Sequence, residues 1–203
     1  YFFPDGKHLI WTSVRDKMGT SGKLEGDWSD WQHYPQGAEL YISDRQGGHV
    51  KRLTNNDYYE AEVTVSPDGK WIVFGRQIKG NMDLWVMNAD GTGEHQITFT
   101  EDWQEGAPYF LPDSNTILFR AWKASEYGQR PTPMTIFTIK RDGSDLKTQT
   151  HTHEMNWAPY PTPDGKHFLY VRIEPGSNNW EVYLGELDAG PDVKPRRLTF
   201  DDG

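Results

Sequence analysis

Cysteine is absent from the 203 residues. That excludes disulfides and thiol catalysis within the chain. There is no apolar run of about 18 residues, the length a membrane-spanning helix needs. Basic charge is scarce: 21 Lys and Arg stand against 30 Asp and Glu, for a net charge of −9. Phosphate contacts need clustered Lys and Arg. The densest basic group here is Lys194, Arg196 and Arg197, read as a solvated turn, so no nucleic-acid partner is expected. Catalytic signatures are missing as well, with no G-x-S-x-G elbow, no phosphate loop and no H-E-x-x-H. The acidic residues show no diagnostic pairing and are expected mostly on solvated turns. No catalytic residue and no cofactor is predicted. No signal peptide is visible. Residue 1 falls inside a repeat, which predicts a natural N-terminus elsewhere.

What the chain has instead is aromatic residues, glycine and proline: nine Trp, ten Tyr, nine Phe, 20 Gly and 13 Pro. That composition suits strands separated by tight turns. A repeat organises it. FFPDGKHLIW, VSPDGKWIVF, FLPDSNTILF and PTPDGKHFLY are four copies of one pattern. The turn aspartates are Asp5, Asp68, Asp113 and Asp164, spaced 63, 45 and 51. The irregularity has a single source. From each Asp to the aromatic of the next strand (Tyr41, Trp85, Phe137, Tyr183) the distances are 36, 17, 24 and 19. With the excess over 17 removed, the periods become 44, 45 and 44. A four-stranded propeller blade is about 40–45 residues long.

Each copy reads as strands A to D. Strand A precedes the turn, at Glu62–Val65, Ala107–Phe110 and Ala158–Pro161. Strand B follows it, at Leu9–Trp11, Ile72–Phe74, Ile117–Phe119 and Phe168–Tyr170. These are continuous apolar runs, as expected of strands covered on both faces. Strand C carries Leu40-Tyr41, Leu84-Trp85, Ile136-Phe137 and Val182-Tyr183; strand D ends in Leu53-Thr54, Ile97-Thr98 and Leu198-Thr199. Gln149 replaces the aliphatic residue in the third copy, which predicts a weaker outer strand there. In the A–B turn Pro presets φ, Asp bonds the backbone ahead and Gly supplies positive φ. Asn115 is a candidate for that left-handed role in the third copy, which lacks the glycine. The fold class is all-β, a β-propeller with four four-stranded antiparallel blades. The repeats fall at about 1–57, 58–102, 103–153 and 154–203 of one partial propeller domain. Both ends cut the repeat at an equivalent point, so a six- to eight-bladed ring is expected over a closed four-bladed one. The flanks of the outermost blades would then be apolar and need a cover.

Strands alternate direction within a blade, so the D–A and B–C connections share one face. Those connections are read as long and varied, and binding residues favour such loops on a rigid scaffold. The first B–C loop, Asp16–Gly37, carries Trp28, Trp31, His33 and Tyr34. Its aromatics are binding anchors or a cap on their own blade edge. The D–A loops add Tyr58, Tyr59 and Glu60, then Trp103, Gln104 and Glu105, then Asn156 and Trp157. The recurrence of aromatic plus Glu argues for a shared structural role. The third B–C loop, Lys123–Pro133, adds Tyr127 and Arg130. His151 and His153, with Glu154 nearby, could ligate a metal, but no third ligand stands at a motif distance, so no metal site is assigned. His8 and His167 are read as blade-packing residues. Tyr1, Thr64, Tyr109 and Tyr160 align on strand A, to pack between blades or line the channel.

SerProAspGlyLys at 66–70, followed by Met87-Asn88-Ala89-Asp90-Gly91, resembles the consensus of the TolB-like, PDG-repeat propeller family, and the match covers nearly the whole chain. The resemblance implies a rigid disc with a binding face, in a periplasmic or extracellular setting. Members of the family include partner-docking translocation propellers, propeller domains of prolyl oligopeptidase-type serine peptidases and channel-metal polysaccharide lyases. The expected function is therefore a non-catalytic interaction or scaffold module that binds a protein or peptide. The alternatives are the propeller portion of a larger enzyme of those two kinds, or a structural subunit of a larger membrane-associated assembly.

Overall fold

In the computed structural model of the chain, residues 1–18, 26–27, 29–173, 176 and 179–200 are described. They form four antiparallel sheets in chain order. The first contains β1 (His8–Ser13), β2 (Glu39–Asp44) and β3 (Lys51–Arg52). The second contains β4 (Tyr59–Val65), β5 (Trp71–Ile78), β6 (Asn81–Asn88) and β7 (His95–Gln96). The third has β8 (Trp103–Phe110), β9 (Thr116–Lys123), β10 (Thr135–Lys140) and β11 (Lys147–Thr148). The fourth has β12 (Asn156–Pro161), β13 (His167–Ile173), β14 (Trp180–Glu186) and β15 (Arg196–Arg197). In the first sheet the A position is filled by the bridge Phe2↔Leu9 and the bonds Phe3 N–H to His8 O and Ile10 N–H to Tyr1 O. The four-bladed propeller reading holds.

The core lies between the sheets rather than within any one of them. Ile10 and Leu40 of the first sheet meet Val65, Ile72, Phe74 and Met87 of the second. Val73, Leu84 and Val86 of the second meet Phe110, Ile117 and Phe119 of the third. Leu118 and Ile136 of the third meet Phe168, Tyr170 and Tyr183 of the fourth. Ile72 and Val73 are neighbours whose side chains point to opposite faces. Both are fully buried, which explains why strand B shows no polar alternation. Each such aliphatic or aromatic side chain contributes about 1.5–3 kcal/mol when removed from water.

The A–B turns work as read from sequence. One oxygen of Asp5 accepts from the N–H groups of Lys7 and His8, and Asp164 does the same for Lys166 and His167. In the third turn Ser114, not Asn115, takes the left-handed conformation, with φ of 56°. His8 and His167 are not blade-packing residues. Each is partly exposed and places Nδ1 on its turn aspartate, at 2.6 and 2.7 Å. The outer strand of the third blade is no shorter than the others. β11 pairs over two residues like β7 and β15. Gln149 is buried; it donates to Thr138 Oγ1 and accepts from the Asp188 N–H of the next blade. The threonine of the Leu-Thr pair recurs for a physical reason. Oγ1 of Thr54, Thr98, Thr150 and Thr199 accepts the N–H of Leu40, Leu84, Ile136 and Val182, at 2.8–2.9 Å.

Three differences from the sequence reading shape the functional face. Strand A begins earlier than expected, so Tyr59, Glu60, Trp103–Glu105, Asn156 and Trp157 are strand residues and not D–A loop residues. Each A strand then breaks register between Ala61/Thr64, Gly106/Tyr109 and Trp157/Tyr160. Glu62, Ala107 and Ala158 sit there at φ of 55°, 49° and 52°, a conformation that side chains rarely adopt. Finally, the B–C connections are not uniformly long. In the second blade only Lys79 and Gly80 join β5 to β6, both at positive φ as in a tight two-residue hairpin.

Candidate functional site

The short hairpin of blade 2 leaves room that blade 1 fills. The described part of the first B–C connection is built on turns. Asp30 Oδ2 holds His33 Nδ1 at 2.6 Å, and Asp27 N–H donates to His33 O. From that base the chain crosses blade 2. Gln77, buried in β5, donates its amide to the Trp31 carbonyl. The Trp31 ring then meets blade 3, lying edge-on to Trp122 at 4.9 Å and tilted on Tyr127 at 5.7 Å; Trp122 and Tyr127 are themselves 5.5 Å apart. Tyr34 lies 4.7 Å from Tyr59. The loop re-enters the fold through Gly37 N–H to Tyr58 O and Glu60 N–H to Ala38 O. Among the described residues of the loop, Trp31 and Tyr34 do not fold back on their own blade; they tie blade 1 to blades 2 and 3.

Beneath it lies a cavity of about 60 Å³, lined by Trp31, Tyr34, Tyr59, Trp122 and Met82 with Glu62, Gln104, Glu105 and Arg120. Arg120 Nη2 donates to Glu62 Oε1 at 3.0 Å, and Ala107 N–H donates to Glu62 Oε2 at 2.7 Å. The left-handed backbone at Glu62 thus aims a blade 2 carboxylate at blade 3. A Cβ at Gly106 would run into the ends of the Glu62 and Arg120 side chains, which would have to move to admit it. Glu105 is only 2% exposed. Its Oε1 accepts from Thr100 Oγ1 at 2.7 Å. Its Oε2 is buried and has no hydrogen-bond partner among the described residues. Burial raises the Glu105 carboxyl to about 8, and the nearby Asp83 adds to the rise. Burial also raises the Tyr34 and Tyr59 hydroxyls, so both stay neutral at physiological pH.

The expectation that acidic residues sit on solvated turns fails for a defined set. Glu39, Glu60, Asp83, Glu105 and Glu181 are buried. Glu39 and Glu181 hold equivalent places at the start of strand C and pair with Arg52 and Arg197 of strand D. Arg197 is therefore anchored and not part of a solvated turn. Glu60 pairs with the buried Arg76, whose guanidinium lies 4.3 Å from the Trp85 ring centroid. These ion pairs are structural.

The residues singled out from sequence separate into two groups. Trp31, Tyr34, Tyr59, Gln104, Glu105 and Tyr127 converge on the crossing. The other described ones do not. His33 is exposed and braces its own turn. Tyr58 stands beside Arg76 at 6.0 Å. Trp103 packs edge-on against Phe137 at 5.4 Å, inside the blade. Arg130 lies 5.7 Å from the Tyr127 ring at the surface. Trp157 forms an exposed edge-on pair with Trp180 at 5.4 Å. Trp28 lies outside the described residues. His151 and His153 face different partners, the Ala189 carbonyl and Glu126. Among the described residues no three His, Asp or Glu side chains cluster as a metal site would require. On the A strands Tyr109 meets both Tyr1, at 6.2 Å, and Tyr160, at 5.0 Å. Tyr1 and Tyr160 stay about half exposed, so these rings gather at the common axis. Gln77, Glu62, Trp122 and Arg120 were not singled out from sequence. Trp122 alone carried a signal, as an aromatic just past the apolar core of strand B.

Blade-sized sheets wedged about an axis, with an aromatic crossing on one face, define a β-propeller. The chain belongs to the Tricorn protease N-terminal β-propeller domain family, whose model matches residues 34–192. An uncharacterized protein of Agrobacterium fabrum is 26% identical over 182 residues, 85% of this chain and 53% of that relative. The chain thus spans about half the length of the curated relative it matches. Its fold is similar to a TolB-like propeller of Agrobacterium tumefaciens (TM-score 0.70, 22% identity, 98% of this chain and 63% of that one). It is also similar to TolB of Acinetobacter baumannii (TM-score 0.68, 19% identity, 97% and 41%). Hydrazine synthase of Kuenenia stuttgartiensis carries a similar fold (TM-score 0.69, 16% identity, 97% and 32%). The TolB-like propeller reading stands.

Proposed function

We propose that this chain is a non-catalytic propeller module that binds a protein or peptide on its D–A/B–C face, in an extracytoplasmic compartment. The observation that carries the reading is the crossing itself. A loop from blade 1 is anchored on blade 2 through Gln77 and delivers Trp31 onto Trp122 and Tyr127 of blade 3. Pre-ordered aromatic rings on a rigid frame are what a binding hot spot needs, since their ordering cost is met before the partner arrives. The compartment rests on the resemblance to TolB-like propellers. The repeats at 1–57, 58–102, 103–153 and 154–203 are its units. A ring of six to eight blades is its full form, which suits a chain spanning 63% and 41% of two TolB-like structures.

The test is partner recovery by cross-linking, with the wild type and with a variant whose residues 16–37 are replaced by a short turn. Loss of recovery with the β-sheet circular dichroism signal and a cooperative unfolding transition retained is the expected result. Unchanged recovery removes the loop from the binding surface.

A further inference from the structure

We infer that the cavity under the crossing is a cage for one organic cation, an alkylammonium or guanidinium group of the kind a basic side chain of a partner would insert. This inference deepens the proposed binding function and rests on it for the source of the cation.

Four aromatic rings form the wall: Trp31, Tyr34, Tyr59 and Trp122. They come from the blade 1 loop, from β4 and from β9, so no single blade builds the site. Aromatic faces carry negative quadrupole potential and attract cations within about 6 Å. Glu62 and Arg120 neutralise each other through their ion pair. Glu105 makes no ion pair among the described residues, and its Oε2 is buried without a hydrogen-bond partner among them, so the wall carries one net negative charge once the Glu105 carboxyl ionises. A buried carboxylate oxygen in that position is costly unless a donor meets it. Once the carboxyl has ionised, a neutral apolar guest would leave the oxygen unmet, an anion would be repelled, and a cation with N–H groups would satisfy both it and the rings. The volume, about 60 Å³, suits the head of one such group and excludes a whole peptide, since one water needs about 10–15 Å³ of the same kind of space.

Proton release follows from the same geometry. The groups facing Glu105 are Glu62 and Tyr59 from β4, Asp83 from β6, Arg120 from β9 and Tyr34 from the loop. With its carboxyl raised to about 8, Glu105 must shed a proton before a cation docks. Affinity therefore falls as pH drops below that value, on the order of thirtyfold between pH 9 and pH 6.5.

The experiment is a titration of the protein with butylammonium chloride at constant ionic strength, following the indole N–H resonances of Trp31 and Trp122. Butanol serves as the uncharged control. Saturable shifts with a dissociation constant on the order of millimolar, absent with butanol, are expected. In Glu105→Gln the affinity at pH 9 is expected to fall at least tenfold and its pH dependence to vanish, with the unfolding temperature kept or raised. Absence of saturation, equal response to butanol, or an unchanged constant in Glu105→Gln overturns the assignment. Trp122→Leu provides a second variant that removes a ring without touching the carboxylate; unchanged affinity there also overturns it. Because the probe is a small cation, the outcome is independent of whether the loop face recovers a protein.

Discussion

Gln77 of blade 2 donates its side-chain amide to the backbone carbonyl of Trp31, 46 residues earlier in the chain. This bond crosses from the scaffold to the loop that covers it. It explains how a long connection from one blade can hold a ring against another blade two positions away.

Gln77→Leu removes that bond and puts an apolar side chain of similar size in its place. The carbonyl of Trp31 then loses a partner in a partly buried setting, at a cost of about 1 kcal/mol. The cost falls on the loop rather than on the blade. Faster limited proteolysis within residues 26–37 is expected, with a red-shifted tryptophan emission. Unchanged cleavage kinetics would show that the ring contacts alone hold the crossing.

Glu105 is expected to set a pH slope of stability. Its carboxyl lies at about 8 in the folded chain, against an ordinary value of 4.5. Between those two values the folded state holds the extra proton. Stability therefore falls as pH rises through that window, by up to about 1.4 kcal/mol per pH unit. Glu105→Gln cannot ionise and lacks this slope. Chemical denaturation at pH 5 and pH 8 checks the sign. The variant is expected to gain on the wild type at pH 8, and a difference equal at both pH values would refute the assignment.

Glu39 is fully buried. Its Oε1 accepts from Arg52 Nη2 at 2.8 Å and from the Asn56 N–H at 2.7 Å. Glu39→Ala leaves Arg52 Nη2 and that N–H without this acceptor, while the guanidinium keeps Thr54 O and Asp16 Oδ2. Removing a buried acceptor in this way costs about 1–3 kcal/mol. Arg120→Ala, by contrast, opens a bridge whose glutamate side chain is 38% exposed. It should cost less, about 1 kcal/mol. Urea midpoints of the two variants, measured side by side, give the comparison.

The blade unit was legible because it is local. A Pro-Asp-Gly turn, an apolar strand and a Leu-Thr corner each obey rules that act within a few residues. Even the insertions could be recognised, since they sit in one place on a constant frame. The functional face was only partly legible. Tyr59 and Glu105 looked like loop residues because the sequence marks the apolar half of each A strand and not the polar half before the bulge. The left-handed positions at Glu62, Ala107 and Ala158 carry no glycine to announce them.

The sequence by itself determined a repeating β-meander with acidic surroundings, aromatic loops and no catalytic motif. Only the tertiary structure decided which carboxylates are buried and which rings meet. The physical reason is distance along the chain. Trp31 and Trp122 come together because a two-residue hairpin at Lys79 and Gly80 leaves a gap that a loop from the preceding blade spans, and no local pattern encodes that gap.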